Sequence, residues 1–359
     1  MRMRAVIGAN FGDEGKGLVT DYLASKGGDV VVRFNGGCQA GHTVVAPEGH
    51  RHVFSHFGAG SFVGLPTFFS QHTIVNPVLF IKEYEKLQKH ITAPVVYIHP
   101  DALVTTPWDM NANQMLEKAR NNAKHGSCGV GIFQTIVRNR KVPLRMRDLW
   151  DNDLTDQLAD IIKHYSCGTE EENENMRENF LRDCEWFAHV VRSADITQFI
   201  DPIFEGAQGL LLDQGNMEMY PHLTPSRCGM HNVRELMWEM GCDVGDVYYV
   251  SRPYLTRHGA GSLPGYDPEM EYEDDTNVKN DWQGWLRFGH LMFDELERRI
   301  HADHDKPKLV YTHCDQASAP TNGAFYSFGP TRNDVYTGAQ PLRRKDVLRD
   351  RSNTVLRGM

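Results

Sequence analysis

Short apolar runs recur along the chain, and many of them end in a glycine-rich turn. Ala5-Val6-Ile7-Gly8 leads to the turn at 12–17, Asp29-Val30-Val31-Val32-Arg33-Phe34 to the turn at 35–43, and Pro202-Ile203-Phe204-Glu205 to Gly206-Ala207-Gln208-Gly209. The run 246–254 ends in Arg257-His258-Gly259-Ala260-Gly261, and Lys308-Leu309-Val310-Tyr311 ends in Thr312-His313-Cys314-Asp315. Runs that are apolar without alternation predict strands buried on both faces, and 73–75 and 95–98 are shorter examples. Between them lie stretches with apolar residues at helical spacing: 18–23, 78–89, 111–124, 232–241 and 284–300. The stretch 169–193 is strongly charged and carries Phe180, Leu181, Trp186, Phe187 and Val190 at that spacing, which predicts a surface helix. Residues 264–281 are acidic and without period, so a mobile loop or lid is expected. Strands alternating with helices predict an α/β fold with a mostly parallel central sheet and flanking helices.

Composition narrows the setting. The chain has 359 residues, 40% of them hydrophobic, which suits one large α/β domain over 1–359 with loop and helical insertions. No repeat or linker divides it. The net charge of −9 argues against nucleic acid held on a basic surface. No run reaches the length of a membrane span, and Met1-Arg2-Met3-Arg4 enters a strand rather than a signal peptide. The seven cysteines are odd in number and scattered, as expected of a reducing, cytoplasmic setting. His301 and His304 sit among charges with no third ligand nearby, and they are read as surface residues.

The turns carry the chemistry. Glycines let backbone N–H groups face a phosphate, and the helix that follows directs its positive end to the same place. Lys16 supplies a point charge. Gly17 stands where a Walker loop has Ser or Thr, so Asp13 takes over the metal-holding role of that hydroxyl. His42 lies among small residues and can act as an acid or stabilise charge. Gln208 offers a donor and an acceptor to a base edge. Ser127 and Cys128 lie in a further small-residue loop, ahead of Arg138, Arg140, Lys141, Arg145 and Arg147, which read as an anion site.

In order and spacing, Gly12-Asp13-Glu14-Gly15-Lys16-Gly17, Gly36-Gly37 through Ala40-Gly41-His42-Thr43, Phe204 through Gly209, Thr256 through Gly261 and Thr312 through Asp315 resemble the adenylosuccinate synthetase family. The resemblance spans nearly the whole chain and implies that family's P-loop-like fold. It implies a ligase that moves the γ-phosphate of a nucleoside triphosphate to a purine 6-oxygen and then displaces it with the aspartate amine. By resemblance Asp13, His42 and Lys16 are catalytic, and Asp13 with the Gly41 carbonyl holds Mg²⁺. The triphosphate falls to Gly12, Asp13, Glu14, Gly15, Lys16, Gly17, Gly41, His42, Thr43, Asp315, Gly329 and Pro330. The purine monophosphate falls to Asp13, Gln39, Ser127, Cys128, Arg138, Arg140, Gln208, Thr224 and His258. Aspartate falls to Thr276, Asn277, Val278, Lys279 and Arg257. A homodimer is implied, with Arg138 or Arg140 crossing to the partner's substrate phosphate.

The departures bear on selectivity. Gln39 replaces the family's Asn, and the arginine-rich aspartate loop becomes Thr276-Asn277-Val278-Lys279-Asn280-Asp281, with Lys279 in place of the arginine that reaches the ribose 2′-hydroxyl. The guanine-reading Thr-Lys-x-Asp becomes Thr312-His313-Cys314-Asp315. These changes resemble the family's phage branch, which uses dGMP, aspartate and ATP or dATP in the host cytoplasm on the way to 2-aminoadenine DNA. An ordinary adenylosuccinate synthase using IMP and GTP, and a silent nucleotide sensor on the same fold, stay open.

Overall fold

Strand β1 (Arg4–Gly8) is buried at every position and lies inside a ten-stranded sheet. The computed structural model describes residues 3–121, 125–151, 153–243, 245–279 and 282–338. After β1 come α1 (Lys16–Ala24), β2 (Val30–Arg33), the strands β3 (His42–Val45) and β4 (Arg51–Phe54), β5 (Thr67–Phe69), β6 (Ile74–Val75) and α2 (Pro77–Leu87). The middle of the chain holds β7 (Val96–Ile98), β8 (Leu103–Val104), α3 (Pro107–Ala119), α4 (Ile132–Asn139), α5 (Met146–Asp151), α6 (Thr155–Tyr165) and α7 (Glu170–Val190). Then follow β9 (Arg192–Ser193), β10 (Pro202–Glu205), α8 (Met230–Glu239), β11 (Asp246–Ser251), β12 (Tyr254–Arg257), β13 (Arg287–His290), α9 (Phe293–Asp303), β14 (Pro307–Tyr311), β15 (Phe325–Ser327) and β16 (Val335–Thr337).

The sheet order is β16-β15-β14-β11-β1-β10-β2-β5-β7-β9. Every pairing is parallel except β15 with β16. The expected sheet is therefore present. Strand β1 lies between β10 and β11, so the turns leaving β1, β10 and β11 open at one edge of the sheet, where α/β proteins place ligands. One apolar cluster packs Ile7, Val32, Phe34, Phe204, Tyr249 and Leu236. A second joins Phe57, Phe69, Phe80, Trp108 and Leu158 to Phe180, Cys184 and Phe187 of α7. The charged helix α7 is thus a surface helix with one buried stripe.

Several expectations need correction. The helix expected over 284–300 is a strand followed by a helix. Residues Arg287–His290 pair antiparallel with β12, and a Cβ on Gly289 would come within 2.9 Å of the Gly265 carbonyl. The single strand expected over 246–254 breaks at Arg252-Pro253, where proline has no N–H for a ladder. The helix expected at 111 begins at Pro107, because Thr106 and Asp109 form a reciprocal capping box. Its expected last residues, 122–124, and the basic tail from Arg343 lie outside the described residues. Residues 264–279 carry no regular element, but they are tied down: Tyr272 stacks on Tyr254 with ring centroids 3.9 Å apart, and Asp274 pairs with Arg252 at 2.7 Å. Among the described residues no helix is long and apolar enough to cross a membrane.

Candidate active site

The turn after β1 is built from left-handed backbone. Gly12, Asp13 and Gly15 have φ of +93°, +60° and +92°. At Gly15, which caps α1, a Cβ would meet the Thr312 side chain at 3.1 Å, so only glycine lets the two turns approach. The Thr312 hydroxyl donates to the Glu14 carbonyl at 2.5 Å and locks that approach.

A cleft of about 400 Å³ opens over this turn. It is lined by Asp13, Gly15, Lys16, Gly17, Gly41, His42 and Thr43, by Thr312, Asp315, Gly329 and Pro330, and by Arg252 and residues 273–277, which include Thr276 and Asn277. Much of the expected triphosphate set therefore shares one cavity with two residues of the expected aspartate set.

Glu14 is not among the residues that line the cleft. Its carboxylate turns inward, accepting from the backbone of Asn10 at 3.0 Å and of Gly12 at 2.8 Å, and pairs with Lys16 Nζ at 2.8 Å. It braces the turn and aims the lysine. Burial raises the pKa of Asp13, although His258, Arg252 and Lys16 all favour its charged form. A base held above the ordinary carboxylate range takes a proton more readily.

His42 begins β3, within an antiparallel pair of strands rather than in the expected loop. Its Nδ1 lies 2.6 Å from Glu205 Oε1 and 3.3 Å from Arg33, while its Nε2 is buried without a partner. Burial brings its pKa down to about 4 against the pull of Glu205, with Arg33 adding to the fall. A neutral ring therefore donates Nδ1–H to Glu205. Anionic phosphate in the cleft favours protonation at Nε2, which turns that atom into a donor.

Around the turn at 35–43, both amide atoms of Gln39 are buried and unpartnered. Nε2 of His258 is in the same state. Gln208 has φ of +65°, and its side-chain oxygen lies 3.6 Å from where a Gly12 Cβ would be. The backbone N–H of Thr224 donates to the Leu212 carbonyl at 2.9 Å. A smaller cavity of about 160 Å³ opens beside Gly36, Thr73, Pro225 and Ser226. The Ser127 hydroxyl donates to Asn113 at 2.9 Å, and burial pushes the neighbouring Cys128 thiol up to about 11.

Other expectations fail. Arg138 is fully buried and bonds Asp109 at 2.9 and 3.1 Å and the Val104 and Val142 carbonyls, so it cannot cross to a partner. Arg145 and Arg147 both pair with Asp101, so the basic run is not one anion site. Arg140 is exposed at the end of α4. Removing one member of a buried pair leaves an uncompensated charge, so Arg138→Ala should lower unfolding free energy by about 3–5 kcal/mol in a denaturant titration. A change under about 1 kcal/mol would contradict its structural role.

Arg257 is buried away from the cleft lining. It bonds the Ser262 and His222 carbonyls at 2.6 and 3.0 Å and lies over the Phe11 ring. Val278 and Lys279 are exposed outside that lining, and Lys279 lies 5.3 Å from the Trp285 ring centroid. Asn280 and Asp281 lie outside the described residues. Sequence reasoning missed Arg252, Arg51 and Glu205. A lone arginine before a proline in an otherwise apolar run was a signal for Arg252. Arg51 lines the cleft and donates to Thr276 at 2.8 Å.

Among the described residues no three His, Cys, Asp or Glu side chains form a metal site by themselves. Mg²⁺ usually takes one or two carboxylates and completes its shell with water and substrate phosphates. Asp13 and Gly41 in one cleft fit that donor set.

The family model for adenylosuccinate synthetase matches residues 5–280. The adenylosuccinate synthetase of Thermoplasma acidophilum is 32% identical over 275 residues, covering 72% of this chain and 62% of that protein. That of Nostoc punctiforme is 33% identical over 282 residues, covering 72% and 61%. The matched segment thus spans less than two thirds of either relative. Among solved structures, fully ligated adenylosuccinate synthetase from Plasmodium falciparum superposes with a TM-score of 0.75 at 16% identity, covering 94% of this chain and 100% of that one. Cyanophage S-2L succinoaminodeoxyadenylate synthetase (PurZ), bound to dGMP and to dATP as energy donor, gives 0.68 at 16% identity, covering 97% and 99%. These two share the fold.

Proposed function

The chain belongs to the adenylosuccinate synthetase family, and from that membership we propose that it joins L-aspartate to C6 of dGMP, with ATP or dATP as phosphoryl donor. The observation that supports a nucleotide site is a set of unsatisfied atoms, among which His42 Nε2 belongs to a residue lining the cleft. Both amide atoms of Gln39, Nε2 of His42 and Nε2 of His258 are buried without partners, and all three residues were assigned to nucleotide from the sequence. Buried polar groups without partners are costly, and a ligand that satisfies them offsets that cost.

Asp13 takes the N1 proton, and the 6-oxygen that gains the electron pair attacks the γ-phosphorus as the nucleoside diphosphate leaves. The aspartate amine then adds at C6 and sheds one proton, and inorganic phosphate departs with the C6–O bond pair and takes that proton up. Lys16 and the protonated His42 hold the charge of the phosphoryl oxygens. Asp13 and the Gly41 carbonyl would hold Mg²⁺, which would add charge neutralisation for the phosphoryl oxygens. The strap at 272–277 borders the cleft, with residues 273–277 in its lining.

One observation favours the deoxynucleotide. No basic side chain among the described residues 276–279 lines the cleft, so this stretch brings no cation to a 2′-hydroxyl. PurZ, solved with dGMP and dATP, shares the fold, as does the Plasmodium falciparum synthetase, so the fold does not choose between them. The curated relatives favour IMP with GTP as a second reading. A homodimer completes the proposal, with Arg140, exposed at the end of α4, as the arginine offered to a partner. Phosphate release in a mixture of dGMP, ATP, Mg²⁺ and aspartate tests catalysis. Release that requires all four supports the ligase, and nucleotide binding without release would leave a silent sensor.

A further inference from the structure

We propose that Arg252 is a positioning residue that holds Asp13 and the strap at 272–277 together as one unit; its kinetic consequences rest on the ligase reading above. Arg252 lies between β11 and β12 and is 3% exposed. Its guanidinium makes three directed contacts. Nε donates to the Asp13 carbonyl at 2.8 Å, one terminal nitrogen donates to Asp274 Oδ2 at 2.7 Å, and the other contacts the Tyr254 hydroxyl at 3.3 Å. Asp274 in turn accepts from the backbone N–H groups of Thr276 and Asn277 at 3.0 and 2.8 Å. Thr276 and Asn277 line the cleft together with Glu273, Asp274, Asp275 and Arg252 itself.

A guanidinium present only to neutralise Asp274 would have no reason to bond the Asp13 carbonyl as well. The Asp13 bond has a conformational use. Asp13 stands at φ +60°, a region most side chains avoid, and such a backbone persists only when its surroundings over-determine it. The same planar group therefore holds the left-handed turn that aims the base and the turn that presents the amino-acid wall. The strap has a second anchor, since Gln316 accepts from Tyr254 and donates to the Glu273 carbonyl at 2.9 Å. Loss of Arg252 should thus loosen the strap without unfolding it.

The test compares Arg252→Met, Arg252→Lys and Asp274→Asn in the full chain. Arg252→Met should raise KM for aspartate and lower kcat, each by about tenfold or more, with KM for the monophosphate within about threefold of wild type. Lysine can reach Asp274 but has no fork to hold Asp13 and Tyr254 as well. Arg252→Lys should therefore recover most of the aspartate KM and little of kcat. Asp274→Asn should do the reverse, raising KM more than it lowers kcat. A residue needed only for folding would lower the active fraction and leave every KM unchanged, and that result overturns the proposal. Amide hydrogen exchange provides a readout without turnover. Exchange at Thr276 and Asn277 should speed up by about tenfold in Arg252→Met, and unchanged exchange there overturns the proposal. If wild type turns over none of the nucleotides offered with aspartate, the ligase reading fails by itself, and the exchange measurement still decides the tie.

Discussion

Asp13→Asn should abolish turnover and leave nucleotide binding close to wild type. The substitution separates shape from chemistry. Asparagine tolerates the left-handed backbone that Asp13 adopts, and the Arg252 bond goes to the backbone carbonyl, which the variant keeps. The turn should keep its form, along with the Glu14 brace and the aim of Lys16. Asparagine cannot take the N1 proton, without which the 6-oxygen is a weak nucleophile. A positioned general base contributes on the order of 10²–10⁴ in rate, and the carboxylate also serves the metal, so kcat should fall below detection in a phosphate-release assay. Activity within about tenfold of wild type would remove Asp13 from the role of base.

His42→Asn should lower kcat by about two orders of magnitude or more, with a smaller effect on KM. The imidazole is held through Nδ1 by Glu205, while Nε2 has no partner within the protein. Its depressed pKa keeps the ring neutral until anionic substrate enters. A donor that forms as phosphoryl charge develops stabilises the transition state more than the ground state, and its loss falls on kcat. Asparagine is too short to span from Glu205 to the cleft. An effect confined to KM would show that His42 only binds ground-state nucleotide.

The parts of this site that lie close together in sequence were legible from it. The order strand, glycine turn, helix places Asp13, Lys16 and α1 within one stretch, and apolar runs without alternation marked the inner strands β1, β2, β10, β11 and β14, although the run at 73–75 pairs with β8 outside the main sheet. What escaped depends on distant pairings. Glu205 holds His42 across 163 residues, and Arg252 reaches Asp13 across 239. No local pattern announces either contact. The charge run at 138–147 misled because sequence spacing does not show which charges turn inward; Arg138 meets Asp109 at the end of a helix that was itself unforeseen. Gly289 looked compatible with a helix, yet it is there because β13 passes close to the 264–265 backbone. Gln39 and Lys279 were singled out together, but only Gln39 keeps its polar atoms unpartnered, whereas Lys279 lies against an indole.

The central claim is that this chain takes the deoxyguanylate rather than the inosinate. A site that bonds a hydroxyl rejects the analogue lacking it, because its own polar groups are left unpaired. A site without that partner has no such reason to reject a deoxy sugar. The direct measurement is kcat/KM for dGMP, GMP and IMP, each with ATP, dATP and GTP, at saturating aspartate and Mg²⁺. The account predicts dGMP above GMP, IMP poor, and ATP or dATP preferred over GTP. IMP with GTP as the best pair would contradict it, leaving an ordinary adenylosuccinate synthase.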